Sequence, residues 1–260
     1  MERVFIIKIG GNVIDNEDAL SSFLAAFSQI KGQKVLVHGG GKLATELAQQ
    51  LHVPQQMIEG RRITDAETLK IVTMVYAGLI NKKIVAQLQL LGCNAMGVTG
   101  ADGNLIRSHK RIINDIDYGF VGDIDEINTG FLNNLFNEVE AIVVAPITHD
   151  LQGQLLNTNA DTVAQELAKA LTINYDVSLV YCLEKPGVLL DANNDSSVIA
   201  HIDKNKFEEL KVNKAIYDGM IPKLSNAFTA VDSGVSKVII GHAGQLNQLI
   251  EGNAGTTISN

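Results

Sequence analysis

The sequence predicts an α/β fold, a three-layer αβα sandwich around a mostly parallel sheet. Three observations predict it. Short β-rich runs alternate with amphipathic helical segments along all 260 residues, glycine clusters follow the first two runs, and no low-complexity run interrupts the alternation. Alternation of this kind buries a parallel sheet under helices on both faces. Ligands in such folds gather at the carboxyl ends of the strands, where the glycine clusters fall.

Taken in order, Val4–Ile9 reads as a buried strand. Ala19, Leu20, Phe23, Leu24, Phe27 and Ile30 recur at helical spacing, and Gly32 closes that helix. Lys34–His38 reads as a second strand ended by Gly39-Gly40-Gly41, and Lys42–Leu51 as a helix. Thr64-Asp65-Ala66-Glu67 has the spacing of a capping box. It opens a long helical stretch to Leu91, with Gly78 as a candidate break. Asn94–Val98 and Ala141–Pro146 read as strands, with Ile106–Ile127 between them as a polar hairpin or excursion. In the second half, Asp161–Leu171, Asp203–Glu209, Pro222–Val231 and Leu246–Leu249 read as helices. Val177–Cys182, Lys237–Ile240 and Thr257–Ile258 read as strands.

Composition narrows the function classes. An apolar share of 46 % with 19 % charged residues reads as a soluble globular chain, one large domain or two joined lobes. A net charge of −8 argues against nucleic acid as a partner, because backbone phosphates demand a basic surface. Phosphate chemistry here must rest on individual lysines and arginines in glycine-rich loops. Cys93 and Cys182 are too few for a disulfide framework, and no Cys/His cluster has zinc spacing, so no protein-held metal is expected. Neither a signal peptide nor an apolar stretch of about 18 residues is evident, which predicts a cytoplasmic protein without a membrane span.

Three loops carry chemistry. In Lys8-Ile9-Gly10-Gly11-Asn12 the glycines let backbone N–H groups approach an anion while the lysine supplies a charge, although the same residues also make a plain strand-end turn. His38-Gly39-Gly40-Gly41-Lys42 runs from strand to helix, and a helix N-terminus behind exposed N–H groups is an anion site. His38 reads more readily as a packed, hydrogen-bonded histidine than as a base. In Leu156-Asn157-Thr158-Asn159-Ala160-Asp161 one Asn or Asp serves as an N-cap; Asn157 and Asn159 together exceed that need, so one or both face a ligand. Neither the P-loop pattern nor the dinucleotide fingerprint is present.

The segments IIKIGGN, VHGGGK, GRRIT, GVTGADG, LLNTNAD and DGMIPK, in this order from Phe5 to about Ile258, resemble the amino-acid kinase family. The resemblance implies a carbamate-kinase-like fold in two lobes. Residues 1–172 would bind the acylated amino acid and dimerise, and residues 173–260 would bind ATP. It implies ATP-dependent phosphorylation of the side-chain carboxylate of an N-acylated glutamate in arginine biosynthesis, with Mg²⁺ arriving on ATP and a homodimer as the assembly. By matched motifs, Lys8 and Lys223 stabilise the transferring phosphoryl group and Asp161 holds both lysines. Gly10, Gly11, Gly40 and Gly41 turn N–H groups toward phosphate and substrate. Arg62 clamps the α-carboxylate, and Asn157, with Asn159, reads the substrate's amide region. Glu184, Gly187, Val188, Ile216 and Tyr217 lie against the nucleotide. The stretch Leu183-Glu184-Lys185-Pro186-Gly187 departs from the family's usual Asp and small residues.

The acyl group stays open at this level. A succinyl group adds a carboxylate that Arg61, Lys70 or Arg107 could meet. A non-catalytic amino-acid or nucleotide sensor is a further alternative, weakened by the presence of Lys8, Asp161 and Lys223 together. Arginine-inhibited relatives carry an extra helix ahead of the first strand, so this chain is expected not to respond to arginine.

Overall fold

The computed structural model describes residues 1–58, 61–113, 116–213, 215–216 and 220–260. The chain begins with β1 (Arg3–Ile9), α1 (Gly11–Ile14), α2 (Glu17–Gln29), β2 (Gln33–His38), α3 (Gly41–Gln50), β3 (Gln56–Ile58) and β4 (Arg61–Ile63). Next comes one long helix made of α4 (Ala66–Val72), a π-helical stretch (Thr73–Ile80) and α5 (Asn81–Leu90). β5 (Ala95–Val98), β6 (Ile106–Ile113), β7 (Ile116–Ile127), α6 (Thr129–Glu138), β8 (Ala141–Val144), β9 (Ile147–His149) and β10 (Leu155–Asn157) follow. α7 (Ala160–Leu171), β11 (Asp176–Leu183), β12 (His201–Ile202) and α8 (Lys204–Val212) lead to α9 (Met220–Asp232). β13 (Lys237–His242), α10 (Leu246–Glu251) and β14 (Thr256–Ile258) complete the chain.

Eight strands form one sheet in the order β12-β14-β13-β11-β1-β2-β8-β5, parallel except where β14 runs against β13. Alternate residues of each strand point to opposite faces. Val4 and Ile6 of β1 therefore join one apolar core with α6, α7, α8 and α9. Phe5, Ile7 and Ile9 join the other with α2, α3, the long helix and α10. That is the predicted three-layer sandwich. Pairing of β1 with β11 carries the sheet across the boundary at 172, so the two lobes share both cores.

Two local expectations change, and a third is refined. The capping box shifts by one residue: Asp65 is the N-cap and accepts from the Thr68 N–H at 2.7 Å. Thr64 stays outside the helix because its backbone bonds Tyr118 and Phe120 of β7, and Glu67 pairs outward with Lys70. Gly78 does not break the helix, which passes through it in the π-helical stretch. At 25 residues, Ala66–Leu90 is long enough to cross a bilayer, but Val72, Val75, Ile80, Ile84 and Leu88 bury one face in the core. The excursion is the hairpin β6–β7, closed with β9 and β10 into a small four-stranded barrel.

Candidate active site

β1 and β2 are parallel neighbours with Ile9 opposite His38, so both glycine loops leave the sheet side by side. The Gly39 N–H donates to the Ile9 carbonyl at 3.2 Å and ties one loop to the other. α3 starts at Gly41, so the N–H groups of its first turn lack partners within the helix and favour an anion at this edge. Gly40 sits at φ 150°, where a side chain would be strained and would collide with Ile80. Only glycine fits there.

Lys8, at the end of β1, is 13 % exposed and pairs with Asp161 at 2.7 Å. Asp161 stands in the first turn of α7, which Asn159 caps by accepting from the N–H groups of Asp161 and Thr162 at 2.9 and 3.1 Å. Lys223, near the start of α9, borders a small pocket with Asp161 and Tyr181. Asp161 thus grips Lys8 directly; among the described residues Lys223 makes no ion pair, and it shares the small pocket with Asp161. Burial pushes the Tyr181 phenol well above its ordinary range, reinforced by the negative charges of Asp161 and Glu166.

On one side of this centre lies a cavity of about 190 Å³ bordered by the triple glycine, Arg61, Arg62, Tyr76, Asn157 and Asn159. Arg62 is 8 % exposed. It donates to the Gly41 carbonyl at 2.8 Å, to Thr45 Oγ1 at 2.9 Å and to Gln55 Oε1. Every one of these partners is neutral, and no acid lies within ion-pair distance of it among the described residues. A buried cation without a counter-ion is costly, so the cavity favours an incoming anion. Asn157 donates to Thr64 Oγ1 at 3.0 Å, and its side-chain oxygen accepts no hydrogen bond among the described residues. Of the three residues considered for a second carboxylate, only Arg61 borders this cavity, its pKa lowered chiefly by burial and next by the Arg111 charge. Lys70 pairs with Glu67 and Arg107 with Glu126 elsewhere.

On the other side lies a more apolar cavity of about 440 Å³, bordered by Gly10, Leu183, Glu184, Gly187, Leu189 and Lys223. Glu184 and Gly187, expected at the nucleotide, both border this cavity. Val188 does not: its side chain is fully buried in a core and its N–H donates to Thr256 Oγ1 at 2.8 Å, so it backs the wall. Ile216 is likewise a core residue at 4 % exposure. Tyr217 lies outside the described residues, as do Gly60, Asp218 and Gly219 of the quoted segments. Sequence reasoning missed Asn12, Val13 and Ala192 on this wall and Tyr76 on the other.

His38 is fully buried, with Nδ1 bonded to the Gly39 carbonyl at 2.8 Å and Nε2 facing the Asn81 amide at 3.3 Å. Burial brings its pKa down to about 4, so it is a neutral strut of the loop. Burial also pushes the Cys182 thiol up to about 12, partly opposed by the Lys8 charge.

Two cavities, one bordered by Gly10 and Lys223 and the other by the triple glycine and an arginine without an acid partner among the described residues, define a group-transfer enzyme that brings two anionic reactants together. The family model of the amino acid kinases matches residues 3–242, and the chain belongs to the amino acid kinase family. An acetylglutamate kinase of Phocaeicola vulgatus is 55 % identical over 257 residues, covering 99 % of this chain and 98 % of the relative. One from Cytophaga hutchinsonii is 56 % identical over 254 residues, covering 97 % and 96 %. Among solved structures, the N-acetylglutamate synthase of Neisseria gonorrhoeae complexed with coenzyme A and N-acetyl-glutamate superposes with a TM-score of 0.83. It is 19 % identical, and the match covers all of this chain and 59 % of that one. Giardia carbamate kinase superposes at 0.71 with 14 % identity, covering 99 % and 98 %. These two likenesses concern the fold alone.

Proposed function

We propose that this chain is an ATP-dependent kinase that phosphorylates the side-chain carboxylate of N-acetyl-L-glutamate, producing an acyl phosphate for arginine biosynthesis. The observation that carries the reading is Arg62, a buried guanidinium held, among the described residues, by neutral partners next to the triple-glycine loop. The α-carboxylate of the substrate completes it, a planar anion that suits the guanidinium fork. The names of the relatives agree with this chemistry.

A side-chain carboxylate has a pKa of about 4.3 and is already a nucleophile at neutral pH, so no general base is needed. Asp161 is occupied with Lys8 and orients it. Lys8 and Lys223 offset charge on the transferring phosphoryl group, and the N–H groups of Gly10, Gly11, Gly40 and Gly41 add donors there. Asn157 and Asn159 border the substrate, with Asn159 also fixing the turn that carries Asp161. ATP lies in the apolar cavity against Glu184 and Gly187. Mg²⁺ carried on the ATP phosphates would neutralise part of their charge. Among the described residues no three acidic, imidazole or thiol groups converge.

The N-terminal residues 1–172 serve the acid and residues 173–260 the nucleotide, in a cytoplasmic homodimer. Met74, Leu79 and Leu90 of the long helix and Met96 of the edge strand β5 are exposed apolar groups that a second copy would cover. Trapping the product with hydroxylamine tests the reaction, because only an acyl phosphate yields a hydroxamate. Hydroxamate should form with ATP and N-acetylglutamate and not with free glutamate or UMP. N-succinylglutamate is the informative competitor, and turnover with none of these acids would sink the reading.

A further inference from the structure

The long helix widens into its π-helical stretch, Thr73–Ile80, under the triple-glycine loop. Such turns weaken helix hydrogen bonds and recur at functional sites. Here the widened turn delivers side chains to one spot. Ile80 and Tyr76 both press on the Cβ position of Gly40, the nearest Tyr76 ring carbons lying 3.0 and 3.1 Å from it. Asn81, the next residue, faces His38 at 3.3 Å and donates to the Val143 carbonyl at 3.0 Å.

Tyr76 is only 6 % exposed, yet it borders the acid-side cavity beside Arg62. Burial raises the pKa of its phenol, and the charge and hydrogen-bonding reach of Arg62 oppose that rise. A guanidinium has donors only, so where it meets the phenol the phenol oxygen accepts and its proton is left for another partner. Among the described residues the hydroxyl donates to no protein group, and Tyr76 lines the cavity.

We propose that Tyr76 is a substrate-binding residue, its hydroxyl donating to the carboxylate that Arg62 neutralises while its ring props Gly40. The assignment rests on the acid-kinase reading above and adds to it a neutral donor aimed at the same anion. Phenylalanine at this position keeps the ring and removes the donor.

The test is calorimetric binding of N-acetylglutamate, which needs no turnover, together with steady-state kinetics. Tyr76→Phe should weaken binding and raise KM for the acid about tenfold, the loss of one hydrogen bond to a charged group. Its kcat and its KM for ATP should stay within twofold of the parent. Tyr76→Leu should also lower kcat, since Gly40 loses its prop. Unchanged affinity of Tyr76→Phe for the acid would overturn the proposal. So would an equal loss for acid and ATP with a lowered melting temperature, the signature of a packing role. A parent protein that binds the acid without phosphorylating it would remove the kinase reading and leave Tyr76 tested; one that binds no acid would remove both.

Discussion

The two cavities proposed for the acid and the nucleotide are built on different physics. On the acid side the recognising group is buried and fixed: Arg62 is 8 % exposed and braced by Gly41, Thr45 and Gln55. On the proposed nucleotide side the cavity is larger, with apolar walls such as Leu183 and Leu189, and its charged members Glu184, Lys185 and Lys223 stand exposed to solvent. A prearranged charge in a dry site loses little ordering entropy on binding and discriminates sharply. Apolar walls grip a base by area and tolerate substitution. Selectivity should therefore concentrate on the acid side, and the nucleotide side should yield small effects.

The largest effect is expected at Lys8. Lys8→Arg keeps the charge but misplaces it against Asp161, and kcat should fall roughly 10²- to 10³-fold with KM for N-acetylglutamate within about threefold. Loss of acid binding with turnover per bound substrate intact would show that Lys8 belongs to the acid side instead. Next comes Arg62→Lys, which replaces the fork by a point charge and leaves Thr45 and Gln55 without their donor. KM for the acid should rise roughly 30- to 100-fold while KM for ATP holds. A matching rise for ATP would erase the contrast between the cavities.

The strand–loop–helix motifs made Lys8 and Gly40 legible as an anion site, because that reading follows from a few adjacent residues, whereas Arg62 was reached only through the family resemblance. The three-layer packing was legible too, since Val4, Ile6 and Phe5, Ile7 alternate between faces as any buried strand must. Tyr76 was hidden in an apolar helix, where periodicity reads every large side chain as core. Its role depends on a widened turn that no propensity marks. Val188 and Ile216 erred the other way: motif position put them at the nucleotide, and backbone direction put their side chains into a core. The small barrel was illegible because β9 and β10 are three residues each and pair across distant segments.

His38 offers a smaller probe of acid-side rigidity. Its pKa is about 4 in the fold against about 6.5 when unfolded. Above pH 6.5 both states are neutral and the fold keeps its full stability. As pH falls from 6.5 toward 4 the unfolded chain takes the proton first, so stability drops. Between pH 7.5 and 5 this group should contribute a loss of about 2 kcal/mol in urea unfolding. His38→Gln should flatten that slope. An unaltered slope would mean that the glycine loop does not depend on a neutral ring.

The smallest effect is expected at Lys185, and it is the sharpest check on the contrast. Lys185 borders the nucleotide cavity and is positive, so motif logic alone would make it a phosphate ligand. Its ammonium group instead pairs with Asp195 at 2.9 Å, both side chains more than half exposed. Exposed pairs of this kind are screened within about 8 Å at physiological salt and contribute little. Lys185→Ala should therefore raise KM for ATP no more than two- to threefold, with kcat and the acid unaffected, and the change should vanish at high salt. A tenfold loss that persists in salt would mean that Lys185 leaves Asp195 for the phosphates. The nucleotide side would then be read by charge, as the acid side is, and the two cavities would differ only in size.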